Sequence, residues 1–167
     1  SHGVHRGKLK LGKNDDRIIF LEKLQKLTND VKYDLYGVNN VQPIWADHYF
    51  KTISNAKMGL NLSRGEAIKY YSSDRITQIV GNGLVCLIDE KTKYKDFFAN
   101  DEMVFYKNLN DLAEKINKIS RDDKLRRKIA KKGKDKYMKY FNSTKVAEFM
   151  IDKALELNNK NKYFWHN

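Results

Sequence analysis

Several cationic side chains stand where they could bind the phosphate groups of a ligand: Arg6, Arg64, Lys69 and Arg75. Arg64 comes just after an apolar run, residues 58–62, that is typical of a buried strand. Arg75 follows Ser72-Ser73-Asp74, whose short polar side chains are typical of a helix start. Cations and the N–H groups of a helix N-terminus together stabilise negative charge without a metal ion. This spacing therefore predicts an anion site.

The elements around these residues form a strand–loop–helix–turn–strand unit. The strand at 58–62 leads through a polar loop to a helix with a short apolar face, formed by Ile76, Ile79 and Val80. Gly81-Asn82-Gly83 permits the positive φ of a tight reversal into a second apolar strand, residues 84–88. Ligands of open parallel sheets bind at the carboxyl ends of the strands. We therefore expect the basic side chains and the helix start to meet at one mouth.

Strands and helices alternate along the rest of the chain. Further strands are predicted at residues 33–36 and 103–106. Helices are predicted after Asp15 and Asp16 and at residues 45–54, 94–99, 109–119, 122–141 and 144–157. The expected inward-facing residues of the first two helices are Ile18, Leu21, Leu24 and Leu27, and then Tyr49, Phe50 and Ile53. This alternation predicts an α/β fold, a parallel sheet flanked by helices on both faces.

Length and composition indicate one globular domain. The chain has 167 residues, of which 41% are hydrophobic and 12% aromatic. It contains no apolar run long enough for a membrane span and no signal-peptide segment at its start, so we expect a cytoplasmic protein. Cys86 is the single cysteine and lies within an apolar strand pattern, which favours a buried structural thiol.

The net charge of +12 needs an explanation. Much of the excess lies on the Lys-rich helix at 122–141, whose apolar residues leave the cations on its solvent side. A solvated helix face and attraction to an anionic membrane surface both account for such a charge. Nucleic acid is not expected as a partner, because the sequence has no helix-turn-helix, zinc-finger or RNP-type signature.

The unit at residues 58–89 resembles the donor-binding half of GT-B glycosyltransferases. It is most similar to the group-1-like transferases related to spore-coat maturation proteins. Arg75-Ile-Thr-Gln78 stands where that family has Arg-x-x-Glu, and Gly81-Asn82-Gly83 stands where it has a glycine turn. Tyr36-Gly37 with Trp45, and the amphipathic helices after Asn108, extend the resemblance over nearly the whole chain.

The resemblance implies a Rossmann-like nucleotide-sugar-binding domain at residues 1–157, followed by a tail at 158–167. It also implies that the N-terminal acceptor-binding domain is absent from this chain, so that the isolated chain is inactive. In GT-B proteins the last helix crosses to that other domain, and we expect the aromatic Tyr163-Phe164-Trp165 of the tail to dock there. The donor substrate would be a nucleotide-sugar, bound without a metal or a cofactor.

The resemblance also implies roles for individual residues. The diphosphate would be bound by Arg6, Gly7, Arg64, Lys69 and Arg75. The ribose and base would be bound by Gln78, Gly81, Asn82, Gly83, Tyr36 and Gly37. For each cation, a plain surface position is the alternative interpretation.

Two departures from the family pattern bear on catalysis. Gln78 replaces the glutamate that bonds the ribose hydroxyls, and Tyr70 occupies the position of a second glutamate near the anomeric carbon. Glu66 is a candidate substitute, and no catalytic residue is assigned. A non-catalytic domain that binds a nucleotide, a glycan or an anionic surface therefore stays as the alternative function.

Overall fold

A computed structural model describes residues 16–37, 41–63, 65–71, 73–157 and 162–165. In chain order, the elements within these ranges are α1 (Arg17–Leu27), α2 (Ala46–Asn55), β1 (Met58–Asn61), α3 (Asp74–Gly81), β2 (Val85–Asp89), β3 (Val104–Tyr106), α4 (Leu109–Arg121), α5 (Asp123–Tyr140) and α6 (Ser143–Ala154). Among the described residues no helix is both long and apolar enough to cross a membrane.

The three strands form one parallel sheet in the order β1-β2-β3. Met58 of β1 pairs with Val85 of β2, and Leu87 of β2 pairs with Val104 of β3. α3 connects β1 to β2. β2 is the central strand and is buried on both faces, which explains its nearly continuous apolar sequence. The predicted strands at 58–62, 84–88 and 103–106 are confirmed to within one residue at each end.

Alternate residues of β2 face two apolar layers, because successive side chains of a strand point to opposite faces. Val85 and Leu87 pack in a cluster with residues of α1, α4 and α5. Cys86 and Ile88 pack in a second cluster with residues of α3 and of the segment between β2 and β3. Cys86 is 1% exposed, which confirms the predicted buried thiol, and this burial raises its pKa to about 12.

Two glycines allow helices to approach the sheet closely. A Cβ on Gly59 of β1 would lie 2.5 Å from Ile79 Cγ1 of α3. A Cβ on Gly133 of α5 would lie 2.3 Å from the carbonyl oxygen of Glu102, just before β3. Both separations are too short for a side chain. The hydrogen atom of glycine therefore sets the spacing of α3 against β1 and of α5 against the sheet.

Three predicted helix starts are confirmed with their caps. Asn108 accepts a hydrogen bond from the N–H of Asp111 and begins α4. The side chains of Asp122 and Asn142 make the equivalent bonds at the starts of α5 and α6. Each side-chain oxygen satisfies a backbone donor that has no partner within the helix.

One predicted strand is wrong, and one predicted helix is confirmed only in part. Residues 33–36 form no strand. Instead the hydroxyl groups of Tyr33 and Thr28 are hydrogen-bonded at 2.7 Å, so that this segment packs on the end of α1 by its side chains. Of the short helix predicted at residues 94–99, only Tyr94–Asp96 is helical, and it is a 3₁₀ helix. The chain there makes two short 3₁₀ turns, Glu90–Thr92 and Tyr94–Asp96, on either side of Lys93 with its φ of +60°.

Some smaller predictions about burial and helix ends also fail. Leu27 and Phe50 were expected to face the core, but they are 45% and 60% exposed. α2 contributes no buried residue at all, so its apolar side chains lie over the surface of the domain. α6 ends at Ala154 rather than at residue 157, shortly before Glu156 with its φ of +53°.

The aromatic tail packs on its own domain, and its docking on a second domain stays a prediction. Tyr163 is 3% exposed, and its hydroxyl donates to the carboxylate of Asp152 on α6. The Trp165 ring stacks on Phe141, with ring centres 5.4 Å apart. Residues 162–165 therefore form a surface layer over α5 and α6.

Candidate functional site

The last residue of β1 is a buried amide that binds the start of α3. Asn61 is 3% exposed. Its Oδ1 accepts hydrogen bonds from Arg75 Nε at 3.3 Å and from Ser73 Oγ at 3.4 Å. Arg75 Nη2 also donates to the backbone carbonyl of Leu62 at 3.1 Å. Arg75 is thus fixed across the carboxyl edge of β1.

The start of α3 directs its backbone N–H groups to the same edge. Ser73 is the N-cap residue with extended backbone, but its side chain makes no cap hydrogen bond and turns to Asn61 instead. The predicted side-chain cap is therefore wrong for Ser73, and Ser72 lies outside the described residues. First-turn N–H groups have no partner within a helix and carry the positive end of its dipole. Asp74 in that turn offsets part of this positive potential.

The loop between β1 and α3 is tied to the segment that follows β2. The N–H of Tyr70 donates to the carbonyl of Thr92 at 2.8 Å, and its hydroxyl donates to Asp96 Oδ2 at 2.6 Å. The bond to Asp96 raises the pKa of Tyr70. Tyr70 also has a φ of +56°, which is uncommon for a residue with a side chain. These contacts hold the loop over the carboxyl ends of β1 and β2.

Two predicted site residues lie on this loop. The ammonium group of Lys69 is 4.7 Å from the centre of the Tyr70 ring. Lys69 and Glu66 are both exposed. Both side chains are therefore at the surface of the loop that follows β1.

α2 contacts the segment that contains Tyr36 and Gly37 and lies near the start of α3. Burial, and then the charge of Asp74, raise the pKa of Tyr49 on α2. The neighbouring His48 has its ring centre 6.1 Å from that of Tyr36. Gly37 has a φ of +73°, and its N–H donates to a carbonyl four residues further on. Tyr36 and Gly37 therefore lie against α2.

The glycine turn lies at the other edge of the sheet. Gly83 has a φ of +76°, and its N–H donates to the carbonyl of Val80 at 3.0 Å. Two residues later Val85 begins β2, and its N–H donates to the carbonyl of Lys57 just before β1. A strand of this length separates the two edges by about 10 Å. The structure thus does not bring Gly81, Asn82 and Gly83 together with Arg75.

Gln78 lies on α3 between these two ends. It is half-buried, and its backbone carbonyl accepts from Asn82 Nδ2 at 2.7 Å. Residues three apart on a helix are neighbours, so Gln78 shares a side of α3 with Arg75. The remaining predicted site residues, Arg6, Gly7 and Arg64, lie outside the described part of the chain.

Two residues of this site were missed from the sequence. Asn61 had a visible signal, because it is an amide inside the otherwise apolar run of residues 58–62. Asp96 had none, because its approach to Tyr70 depends on the fold of a segment that was predicted as a helix. In the described residues no three of the His, Cys, Asp and Glu side chains are grouped so as to hold a metal ion.

The sheet, its flanking helices and this carboxyl-edge mouth define a Rossmann-like α/β domain. A family model described as glycosyl transferase-like matches residues 17–152. The chain belongs to this glycosyl transferase-like family. No curated protein and no solved structure matches it.

Proposed function

We propose that this chain is the donor-binding domain of a GT-B glycosyltransferase of the group-1-like kind, related to the spore-coat maturation transferases. We further propose that the carboxyl edge of β1 binds the diphosphate of a nucleotide-sugar. The observation that carries the proposal is Arg75, held at this edge by Asn61 and the carbonyl of Leu62. An arginine in the first turn opposes the helix dipole, and a bound anion there would relieve that repulsion.

The proposed role of this site is to stabilise the leaving group of the transfer reaction. The nucleoside diphosphate gains negative charge as the bond from the sugar to phosphate breaks. The bonds to Asn61 and Leu62 leave further N–H donors on the Arg75 guanidinium. With the first-turn amides of α3 they would bind that charge by charge-assisted hydrogen bonds. We propose that Lys69 adds a second cation from the loop and that no metal is required.

The ribose and the base would lie further along α3 and towards α2. We propose that Gln78 meets the ribose, because it follows Arg75 by one turn on the same side of the helix. Tyr36 and Gly37 are proposed to frame the base from the side of α2. Glu66 is exposed on the loop and is retained as the candidate for the catalytic carboxylate.

α6 supports the proposal of a second, acceptor-binding domain. The side of α6 that faces the domain carries the buried Asp152 and the half-buried Glu148. Its outer side is apolar and exposed, at fractions of 42% to 65%, at Val146, Met150, Ile151 and Leu155. An amphipathic helix normally buries its apolar side. We propose that the acceptor-binding domain covers this one.

A substitution on α6 tests the second domain. Met150→Glu with Ile151→Glu should leave the melting temperature of this chain nearly unchanged, since neither side chain belongs to its core. The same pair should abolish binding of the acceptor-binding domain supplied as a separate protein. If the pair unfolds the chain, the outer side of α6 is already packed and the proposal fails.

A non-catalytic binding module is the second candidate function. It is favoured by Tyr70, which stands in place of a catalytic glutamate and whose hydroxyl is engaged with Asp96. The two functions differ in one assay of the protein joined to its acceptor-binding domain. A transferase releases nucleoside diphosphate from a sugar donor, and a binding module does not.

A thermal-shift screen with UDP, GDP, ADP and CMP tests the proposed donor site. A ligand at 100 times its dissociation constant should add about 2.7 kcal/mol to the free energy of unfolding. We expect one nucleoside diphosphate to raise the melting temperature and CMP to have a smaller effect. No shift with any of the four at millimolar concentration would contradict nucleotide binding.

A further inference from the structure

A cleft of about 330 Å³ opens between the aromatic tail and the helices α5 and α6. It is lined by Lys139, Tyr140, Lys145, Lys162, Tyr163, Phe164 and Trp165. Among the described residues, its wall is formed by aromatic rings and lysines. This cleft is separate from the mouth at Asn61 and Arg75.

The aromatic part of the wall is fixed by packing. The Phe164 ring stacks on Tyr140, with centres 4.8 Å apart, and the Tyr163 hydroxyl is bonded to the buried Asp152. Trp165 also contacts Phe149, with ring centres 5.9 Å apart. Phe164 nevertheless stays 38% exposed, so aromatic surface is available to a ligand. The rings would therefore present a preformed platform.

The lysines supply positive charge at the rim. Lys145 is paired with Glu148 at 2.9 Å, and Lys162 is paired with Asp152 at 3.1 Å. The Lys139 ammonium lies 4.9 Å from the centre of the Tyr140 ring. Three cations against two carboxylates leave the cleft net positive, as the whole chain is. An anionic group fits this rim better than a neutral one.

We propose that the cleft binds an anionic saccharide, meaning a sugar unit that carries a carboxylate or a phosphate. The C–H face of a pyranose ring is apolar and packs on an aromatic face, while its acidic group meets the lysines. A volume of about 330 Å³ lies at the small end of the range for ligand pockets. It suits one or two sugar units rather than a larger ligand.

The cleft lies next to the proposed donor site. The Phe97 ring contacts Tyr70 of the loop at 4.9 Å and Phe164 of the tail at 6.4 Å, measured between ring centres. An acidic acceptor chain could therefore be held in the cleft with its end near the mouth. That acceptor role rests on the proposed function, whereas binding in the cleft does not depend on it.

Trp165 gives a direct readout. The tryptophans of this chain are Trp45 and Trp165, so Trp45→Phe leaves Trp165 as the single reporter. Titration with oligogalacturonate and with glucose 6-phosphate should change its fluorescence saturably for at least one of the two. Neutral malto-oligosaccharide should bind at least tenfold more weakly. A saturable response to neither acidic sugar, or an equal response to malto-oligosaccharide, would overturn the proposal.

Two matched lysine variants distinguish a specific binding site from general attraction of the sugar by positive charge. Lys139→Gln should weaken binding of the acidic sugar at least fivefold without moving the tail, because that lysine makes no bond to residues 162–165. Lys128→Gln removes the same charge from an exposed position of α5 outside the cleft lining. We expect Lys128→Gln to change the affinity less than twofold. Equal losses from both variants would mean that net charge alone attracts the sugar, and would overturn the proposal.

Discussion

The two ends of α3 were predicted to serve one ligand, and in the structure they lie at opposite edges of the sheet. At the first end, Asn61, Ser73 and Arg75 form a polar cluster joined by side-chain hydrogen bonds. At the other end, Gly83 takes a backbone conformation that returns the chain into β2. The requirements of folding alone explain the glycine turn. At the first end Arg75 satisfies the buried Asn61, but a cation at the positive end of a helix dipole is unfavourable unless an anion is near.

The largest expected effect is on ligand binding at the first end. Arg75→Ala should weaken nucleoside diphosphate binding roughly 10- to 100-fold, because a charge-assisted hydrogen bond contributes about 1.5–3 kcal/mol. Calorimetric titration measures the loss. Lys132→Ala is the control, since Lys132 lies on α5 and is paired with Asp101. If Arg75→Ala lowers only the stability and leaves the affinity unchanged, the role of Arg75 is structural and it does not bind the ligand.

The next largest effect is expected on stability, at the contact where α3 packs on β1. Gly59→Ala places a methyl group 2.5 Å from Ile79 Cγ1 and should cost about 1–3 kcal/mol of unfolding free energy. Chemical denaturation measures it. In an Ile79→Ala background the cost of Gly59→Ala should fall, because the clashing atoms are gone. Additive costs would show that this contact does not set the spacing.

A smaller effect on stability alone is expected at the second end. Gly83→Ala forces a Cβ into the left-handed region and should cost about 1–2 kcal/mol. Nucleotide affinity should stay within twofold of that of the unsubstituted chain, since the turn lies at the other edge of the sheet. An affinity loss as large as that of Arg75→Ala, in a folded protein, would place the ligand at the glycine turn as first predicted.

The smallest effect is expected between the ends, at Gln78. Gln78→Glu restores the residue that the resembling family has at this position and should tighten nucleotide binding by a few-fold. A carboxylate accepts both ribose hydroxyls more strongly than an amide, although it also repels the diphosphate somewhat. The melting temperature without ligand should not move. Unchanged affinity would mean that Gln78 is a surface residue of α3 without a role in nucleotide binding.

Local patterns were enough to predict most of the fold. β2 and β3 are buried and β1 is half-buried, so their apolar runs are readable from the sequence. Asn108 and Asn142 mark helix starts by capping chemistry. Residues 33–36 were mistaken for a strand because an apolar tyrosine-rich segment can also pack by its side chains. The outward-facing apolar side of α6 was not foreseen, because helical periodicity shows that a helix has an apolar side but not what covers it.

The candidate site was predictable only in part. Arg75 was found because a helix start and a cation are both readable from local sequence. Which strand edge each residue reaches depends on the direction in which α3 crosses the sheet. That direction follows from parallel pairing of β1 with β2 and separates Arg75 from Gly83. The partner of Tyr70, Asp96, depends on a contact across 26 residues that no local pattern contains.

The most direct test of the donor site maps the bound nucleotide onto backbone amides. A ¹⁵N-labelled chain would be titrated with the nucleoside diphosphate that the thermal-shift screen selects, and amide chemical shifts would be followed by NMR. The largest shifts are expected at Asn61, Ser73 and Arg75, with little change at Gly83. Shifts centred on Gly81-Asn82-Gly83, or spread evenly over the lysines of α5, would contradict the proposed donor site.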